Sequence, residues 1–159
     1  MFAVTNLVDA VVSRYSVETY SAFAVASGAA SIAVEALGDG LPVVLLHAGV
    51  ADRRMWGAQV GALAAAGFRA IAYDRRGFGE TLHADDEYSQ VGDLVAVLDR
   101  RLPDAVSAGF TGCRIIHGKG TGVLRREVRK YLETHPLIRS QRLGGWTEGD
   151  TGVTIVEFK

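Results

Sequence analysis

Cysteine occurs once in this chain, at position 113, so no internal disulfide can form and no cysteine zinc cluster can be assembled. A single free thiol suits a reducing, cytoplasmic setting. Histidine occurs only at 47, 83, 117 and 135, without metal-ligand spacing and without a His-Glu-x-x-His helix, so no metal site is expected. Long apolar runs are missing as well. Residues 19–34 are uncharged but rich in serine, alanine and glycine, which is too weak for a membrane span. Residues 1–30 carry Asp9, Arg14 and Glu18 and no basic leader, so neither a signal peptide nor a membrane partner is expected. Neither a Walker A motif nor a dinucleotide fingerprint is present, and no cofactor is expected. The chain also lacks a low-complexity linker and an internal repeat, which favours one continuous domain over residues 1–159.

What is present begins with ordinary globular composition: 159 residues, 48% hydrophobic and 22% charged. That length can bury one good core. The net charge of −1 conceals a division. Residues 1–99 hold 6 basic and 12 acidic side chains, whereas residues 100–159 hold 11 and 6. Such asymmetry suggests a basic face for an anionic partner, or simply two halves of different ancestry.

Val4, Leu7, Val8, Val11, Val12 and Tyr15 follow helical spacing, which predicts an N-terminal helix within residues 1–17. Two β-prone runs, 20–26 and 32–37, read as a hairpin. Residues 43–46 and 68–73 are continuous apolar runs suited to buried central strands. Between them, residues 55–66 predict a helix stopped by Gly67. Ser89 is placed to cap a helix over 90–102 that ends at Pro103. Strand 114–116, helix 123–134 and strands 137–143 and 153–158 complete the chain. Strands alternating with helices imply an α/β fold: one mixed, mainly parallel sheet flanked by helices, with antiparallel strands at its edges.

The richest local signal is His117-Gly118-Lys119-Gly120-Thr121-Gly122 between a strand and a helix. Three alternating glycines permit positive φ and a close backbone approach by a ligand. Amide N–H groups at the start of the helix then favour an anion. Lys119 adds a mobile charge and Thr121 a hydroxyl, with Arg125, Arg126, Arg129 and Lys130 behind them. His117 is suited to general acid/base work or to phosphate donation, because imidazole titrates near neutrality. A histidine ending a buried strand is equally suited to a structural hydrogen bond.

Two resemblances meet in this chain. Ile32-Ala-Val-Glu-Ala-Leu-Gly-Asp-Gly, Val43-Val-Leu-Leu-His-Ala-Gly, Met55-Trp56 and Tyr73-Asp-Arg-Arg-Gly-Phe-Gly resemble the front half of an α/β-hydrolase, over about 18–99. That resemblance implies a vestigial oxyanion region at His47, Ala48 and Gly49. The family's later strands, with nucleophile, acid and histidine, have no counterpart. The nearest elbow, Ala105-Val106-Ser107-Ala108-Gly109, follows a helix where the motif needs a strand, so a serine hydrolase is not expected.

From about residue 100 onward the chain resembles the C-terminal part of the Smr (small MutS-related) domain. The resemblance rests on Arg114-Ile-Ile-His-Gly-Lys-Gly-Thr-Gly, Leu124-Arg-Arg-Glu-Val-Arg-Lys-Tyr-Leu, His135-Pro136-Leu137 and Gly152-Val-Thr-Ile-Val-Glu. It implies binding of DNA or RNA and endonuclease-like chemistry, with Gly118, Lys119, Gly120, Thr121, Gly122, Arg125 and Arg126 on phosphate. The family's first strand is missing, but Tyr73-Asp74-Arg75-Arg76-Gly77 repeats its Asp-x-Arg-Gly pattern. Asp74, Arg76 and His117 are therefore the candidate catalytic residues. A chimaera that folds without an evolved activity is the competing expectation, and the sequence leaves the oligomeric state open.

Overall fold

A computed structural model describes residues 20–159, so the helix expected within residues 1–17 lies outside the described residues. Strand β1 (Tyr20–Ser27) pairs antiparallel with β2 (Ala30–Leu37) through a two-residue turn whose Gly28 has φ 56°. A positive φ at the first turn position matches the twist of the flanking strands, which is why glycine stands there. The centre holds β3 (Leu41–Leu46), β4 (Phe68–Tyr73) and β5 (Gly112–Ile116), all parallel. Antiparallel β6 (Ile138–Leu143) and β7 (Val153–Phe158) close the far edge. The sheet order is β1-β2-β4-β3-β5-β7-β6. This is the mixed α/β sheet expected, with parallel pairing confined to the three central strands.

Helix α1 (Gly57–Ala65) follows a short 3-10 turn at Arg53–Trp56, and Gly67 just past it takes φ 82°. Helix α2 (Gln90–Ser107) begins at Ser89, whose hydroxyl accepts from the Gly92 N–H at 2.9 Å. Contrary to expectation, α2 does not end at Pro103 but continues to Ser107. Leu94, Leu98, Leu102 and Ala105 form one buried stripe, and apolar burial of roughly 2 kcal/mol per large side chain carries the helix past the missing N–H. Helix α3 (Val123–Thr134) presents Val128 and Leu132 inward.

The helices lie on opposite faces. Val44 and Leu46 pack with Leu94, Leu98 and Val128, whereas the alternate residues Val43 and Leu45 pack with Val60 of α1. Both faces of β3 are therefore dry, as its unbroken apolar run requires. Helix α1 returns the chain from β3 to β4 on one face. Helix α2 carries it back over β3 to β5 on the other. The chain thus leaves the neighbouring strands β3 and β5 in opposite directions, which opens a crevice beyond their carboxyl ends.

Candidate functional site

That crevice is a cleft of about 980 Å³, walled by His47, Ala48, Gly49, Met55, Trp56 and Arg75 on one side and by residues 116–125 on the other. The segment His47-Ala48-Gly49 and the glycine loop therefore line the same cleft. Strand order decides this: β3, not β4, lies beside β5.

Gly118, Gly120 and Gly122 take φ of 74°, 39° and 78°, the left-handed values anticipated for a loop of alternating glycines. A Cβ on Gly118 or Gly120 would meet nothing within 4 Å, so the constraint there is conformational and not steric. One on Gly122 would lie 2.8 Å from the guanidinium of Arg125, which folds back over the loop. The His117 and Gly118 N–H groups both donate to the Gly152 carbonyl, at 3.1 and 3.0 Å. That shared acceptor ties the loop to the start of β7. Beyond it the backbone donors run free: among the described residues nothing accepts from the main-chain N–H groups of Lys119, Gly120 or Thr121, and no side chain caps α3 at Gly122. An uncapped helix start leaves first-turn N–H groups for an anion, with the dipole reinforcing them.

The basic residues divide into engaged and open groups. Lys119 pairs with Asp150 at 2.8 Å, both side chains largely in water, and this contact holds the Asp150 carboxyl below the usual carboxylate range. Arg125 is half-buried, reaches only the Thr151 carbonyl at 3.4 Å and has no carboxylate partner. Arg126 is exposed beside Glu127 at 3.5 Å.

His117 is held at both ring nitrogens. Its Nδ1 faces the Gly118 carbonyl at 2.8 Å and must donate, so the neutral ring accepts at Nε2 from the buried Thr154 hydroxyl at 2.9 Å. Burial, with a smaller contribution from Arg125, pushes its pKa below the ordinary imidazole value. His47 repeats the arrangement on the neighbouring strand. Its Nδ1 donates to the Ala48 carbonyl at 2.7 Å, and its Nε2 accepts from the Arg75 N–H at 2.9 Å. Burial lowers its pKa also.

Asp74 and Arg76 do not join His117 in the cleft. Asp74 is fully buried, ion-paired to Arg53, and accepts from the N–H groups of Arg53 and Glu80. The buried Arg76 guanidinium is taken by Asp93 at 3.0 Å, by Asp86 and by the Ser27 carbonyl at 2.5 Å. Both hold the hydrolase-like half together, which accounts for the Asp-x-Arg-Gly pattern without chemistry. The residue that does reach the cleft is Arg75, which sequence reasoning did not single out. One guanidinium nitrogen donates to the His47 carbonyl at 3.2 Å, and Nε is buried without an acceptor. Nothing in the pair Arg75-Arg76 signals which one turns toward the strand ends. Ser107 is the exposed last residue of α2, at the opposite end of β5 from the cleft, with no strand before it. Among the described residues no cluster of three metal-ligating side chains occurs, and no helix is long and apolar enough to cross a membrane.

Two families of known proteins match different parts of the chain. Residues 89–159 match the Smr domain, and residues 43–117 match the alpha/beta hydrolase family. The two matches overlap over 89–117, which contains α2 and β5. The chain is 49% identical over 67 residues to Endonuclease MutS2 of Caldicellulosiruptor saccharolyticus, covering 42% of this chain and 8% of that one. It therefore spans under a tenth of that relative's length. An esterase from Exiguobacterium antarcticum superposes with a TM-score of 0.56 at 25% identity, covering 72% of this chain and 41% of that one. Epoxide hydrolase VrEH1 from Vigna radiata gives 0.57 at 26% identity, covering 75% and 38%.

Proposed function

We propose that the chain binds the phosphate backbone of DNA or RNA through the glycine loop at 118–122 and the basic start of α3. The observation that carries this reading is the run of amide donors without protein acceptors at an uncapped helix start, in a cleft that also holds Arg125. Phosphate supplies the acceptor oxygens and the charge that such a site is short of. The match of residues 89–159 to the Smr domain supports the same assignment. Replacing Lys119, Arg125 and Arg126 together by alanine should weaken binding and flatten its dependence on salt. The logarithmic slope should shrink by roughly 2–3, one for each lost phosphate contact. A triple variant that binds as tightly as the parent, with the same slope, would sink the proposal.

The reading extends to strand cleavage, in keeping with the relatives named Endonuclease MutS2. In it His117 acts as a neutral imidazole beside the bound phosphate, a base and not an acid at neutral pH, because burial depresses its pKa. Its Nε2 lone pair holds the Thr154 hydroxyl, so that hydroxyl must turn away before the ring can take up a proton from the cleft at Nε2. Nicking of supercoiled plasmid that disappears in H117Q, while binding persists, is the expected result; nicking that survives the substitution excludes the role. The competing proposal, a recombined chain that folds without evolved activity, predicts no salt-dependent association with either nucleic acid.

A further inference from the structure

The cleft holds more than a backbone phosphate needs. Arg75 and Arg125 lie on its two sides, both half-buried and neither ion-paired to a carboxylate. The other arginines of the hydrolase-like half near these strand ends are neutralised: Arg53 by Asp74 and Glu80, Arg54 by Asp52, Arg76 by Asp86 and Asp93. A half-buried guanidinium without a counter-ion is costly, and two facing one cleft mark a place where charge can come from outside. Glu127 is the one acidic residue on that wall among the described residues, and it leans toward Arg126. Donors without acceptors continue beyond the loop, since the Trp56 indole N–H is buried and unpartnered as well. The remaining wall is apolar, with Met55 about half exposed beside Trp56. A volume of about 980 Å³ is that of a pocket for a small molecule or a single nucleotide, not of a flat track along a duplex.

Building on the nucleic-acid reading, we infer that the cleft receives the phosphorylated end of a single strand. The terminal phosphomonoester lies between the glycine loop and the two arginines. The terminal base lies against Met55 and Trp56. A terminal phosphate carries one more ionisable oxygen than a bridging one, and so suits two fixed cations better than a continuous backbone does. Arg75, from the hydrolase-like half, is then a phosphate-binding residue, and the site is complete only where the two halves meet.

The test compares one short single-stranded oligonucleotide in three forms: 5′-phosphorylated, 3′-phosphorylated, and with hydroxyls at both ends. Binding is read on the W146F chain, whose remaining tryptophan, Trp56, lines the cleft. At least one phosphorylated form should bind about tenfold tighter than the hydroxyl form, the effect of one added charge-assisted contact, and which form does so identifies the end. R75Q should abolish that preference, lowering the affinity of the phosphorylated form to that of the hydroxyl form measured on the same variant. Met55→Glu, at an exposed position that tolerates charge, should abolish it too, which keeps the test independent of any effect of R75Q on folding. Equal affinity for all three forms, or a preference surviving in both variants, overturns the inference. If long strands still bind with a steep salt dependence in that case, the backbone-binding proposal stands alone. If they do not, both fall.

Discussion

The two strand ends that face one another across the cleft use the same histidine device and then diverge. At each, a neutral imidazole, buried at His47 and half-buried at His117, donates through Nδ1 to the next carbonyl and accepts at Nε2. After His47 the chain turns into a 3-10 segment whose first amides are claimed by its own carboxylate, since Asp52 accepts from the Arg54 N–H at 2.9 Å. After His117 it turns through three left-handed glycines into a twelve-residue helix with no cap. One helical start is filled from within; the other has no side-chain cap. The same division governs the arginines: Arg53, Arg54 and Arg76 answer carboxylates of the fold, while Arg125 answers none. Basic residues at a strand end therefore indicate a partner only where the protein has not already supplied the counter-charge.

The comparison breaks most severely at the closed side. Asp93→Ala strips the buried Arg76 of its internal partner and should cost about 3–5 kcal/mol, seen as a large fall in the unfolding midpoint. By contrast, Arg125→Ala removes a charge that forms no ion pair and acts on Asp150 only through space, so its effect should appear in ligand affinity and hardly at all in stability. On the open side, Gly118→Ala and Gly120→Ala should each lose roughly 1–2 kcal/mol through φ alone, because space for the methyl exists. Gly122→Ala should lose more, since its methyl also meets Arg125. Equal losses at all three would remove the distinction between strain and crowding.

Acid sharpens the likeness between the two histidines. Both have folded-state pKa values below those of the unfolded chain, so the unfolded chain binds protons first. Their contribution is complete above the ordinary imidazole range and is lost as pH falls through the lowered folded values. Denaturant midpoints measured from neutral pH downward should decline in the parent and flatten in the H47Q/H117Q double variant. The smallest effect belongs to Lys119: releasing it with Asp150→Asn should leave the unfolding midpoint almost unchanged, as expected for an exposed pair, while strengthening polyanion binding slightly.

Local chemistry made much of this legible in the sequence. The Ser89 cap, the Gly67 stop, the hairpin at Gly28 and the left-handed loop glycines each follow from a residue and its immediate neighbours. What stayed hidden depended on distant partners. Helix α2 passes Pro103 because its buried stripe continues, and Asp74 and Arg76, to which the Asp-x-Arg-Gly pattern pointed, are engaged by Arg53, Asp86 and Asp93 instead of facing the cleft. Arg75 emerges as the cleft residue only once the strand ends are assembled, because its side chain and its neighbour's differ in surroundings and not in type.

The single carbonyl of Gly152 has a consequence for when the loop becomes competent. It receives two consecutive N–H groups from the segment that enters the loop, yet it belongs to the approach to β7, which slots between β5 and β6. Every residue of the loop is synthesised well before its anchor. A polypeptide halted short of that final strand would possess the whole motif without the carbonyl that anchors it, so the loop's geometry is fixed last, as the hairpin closes.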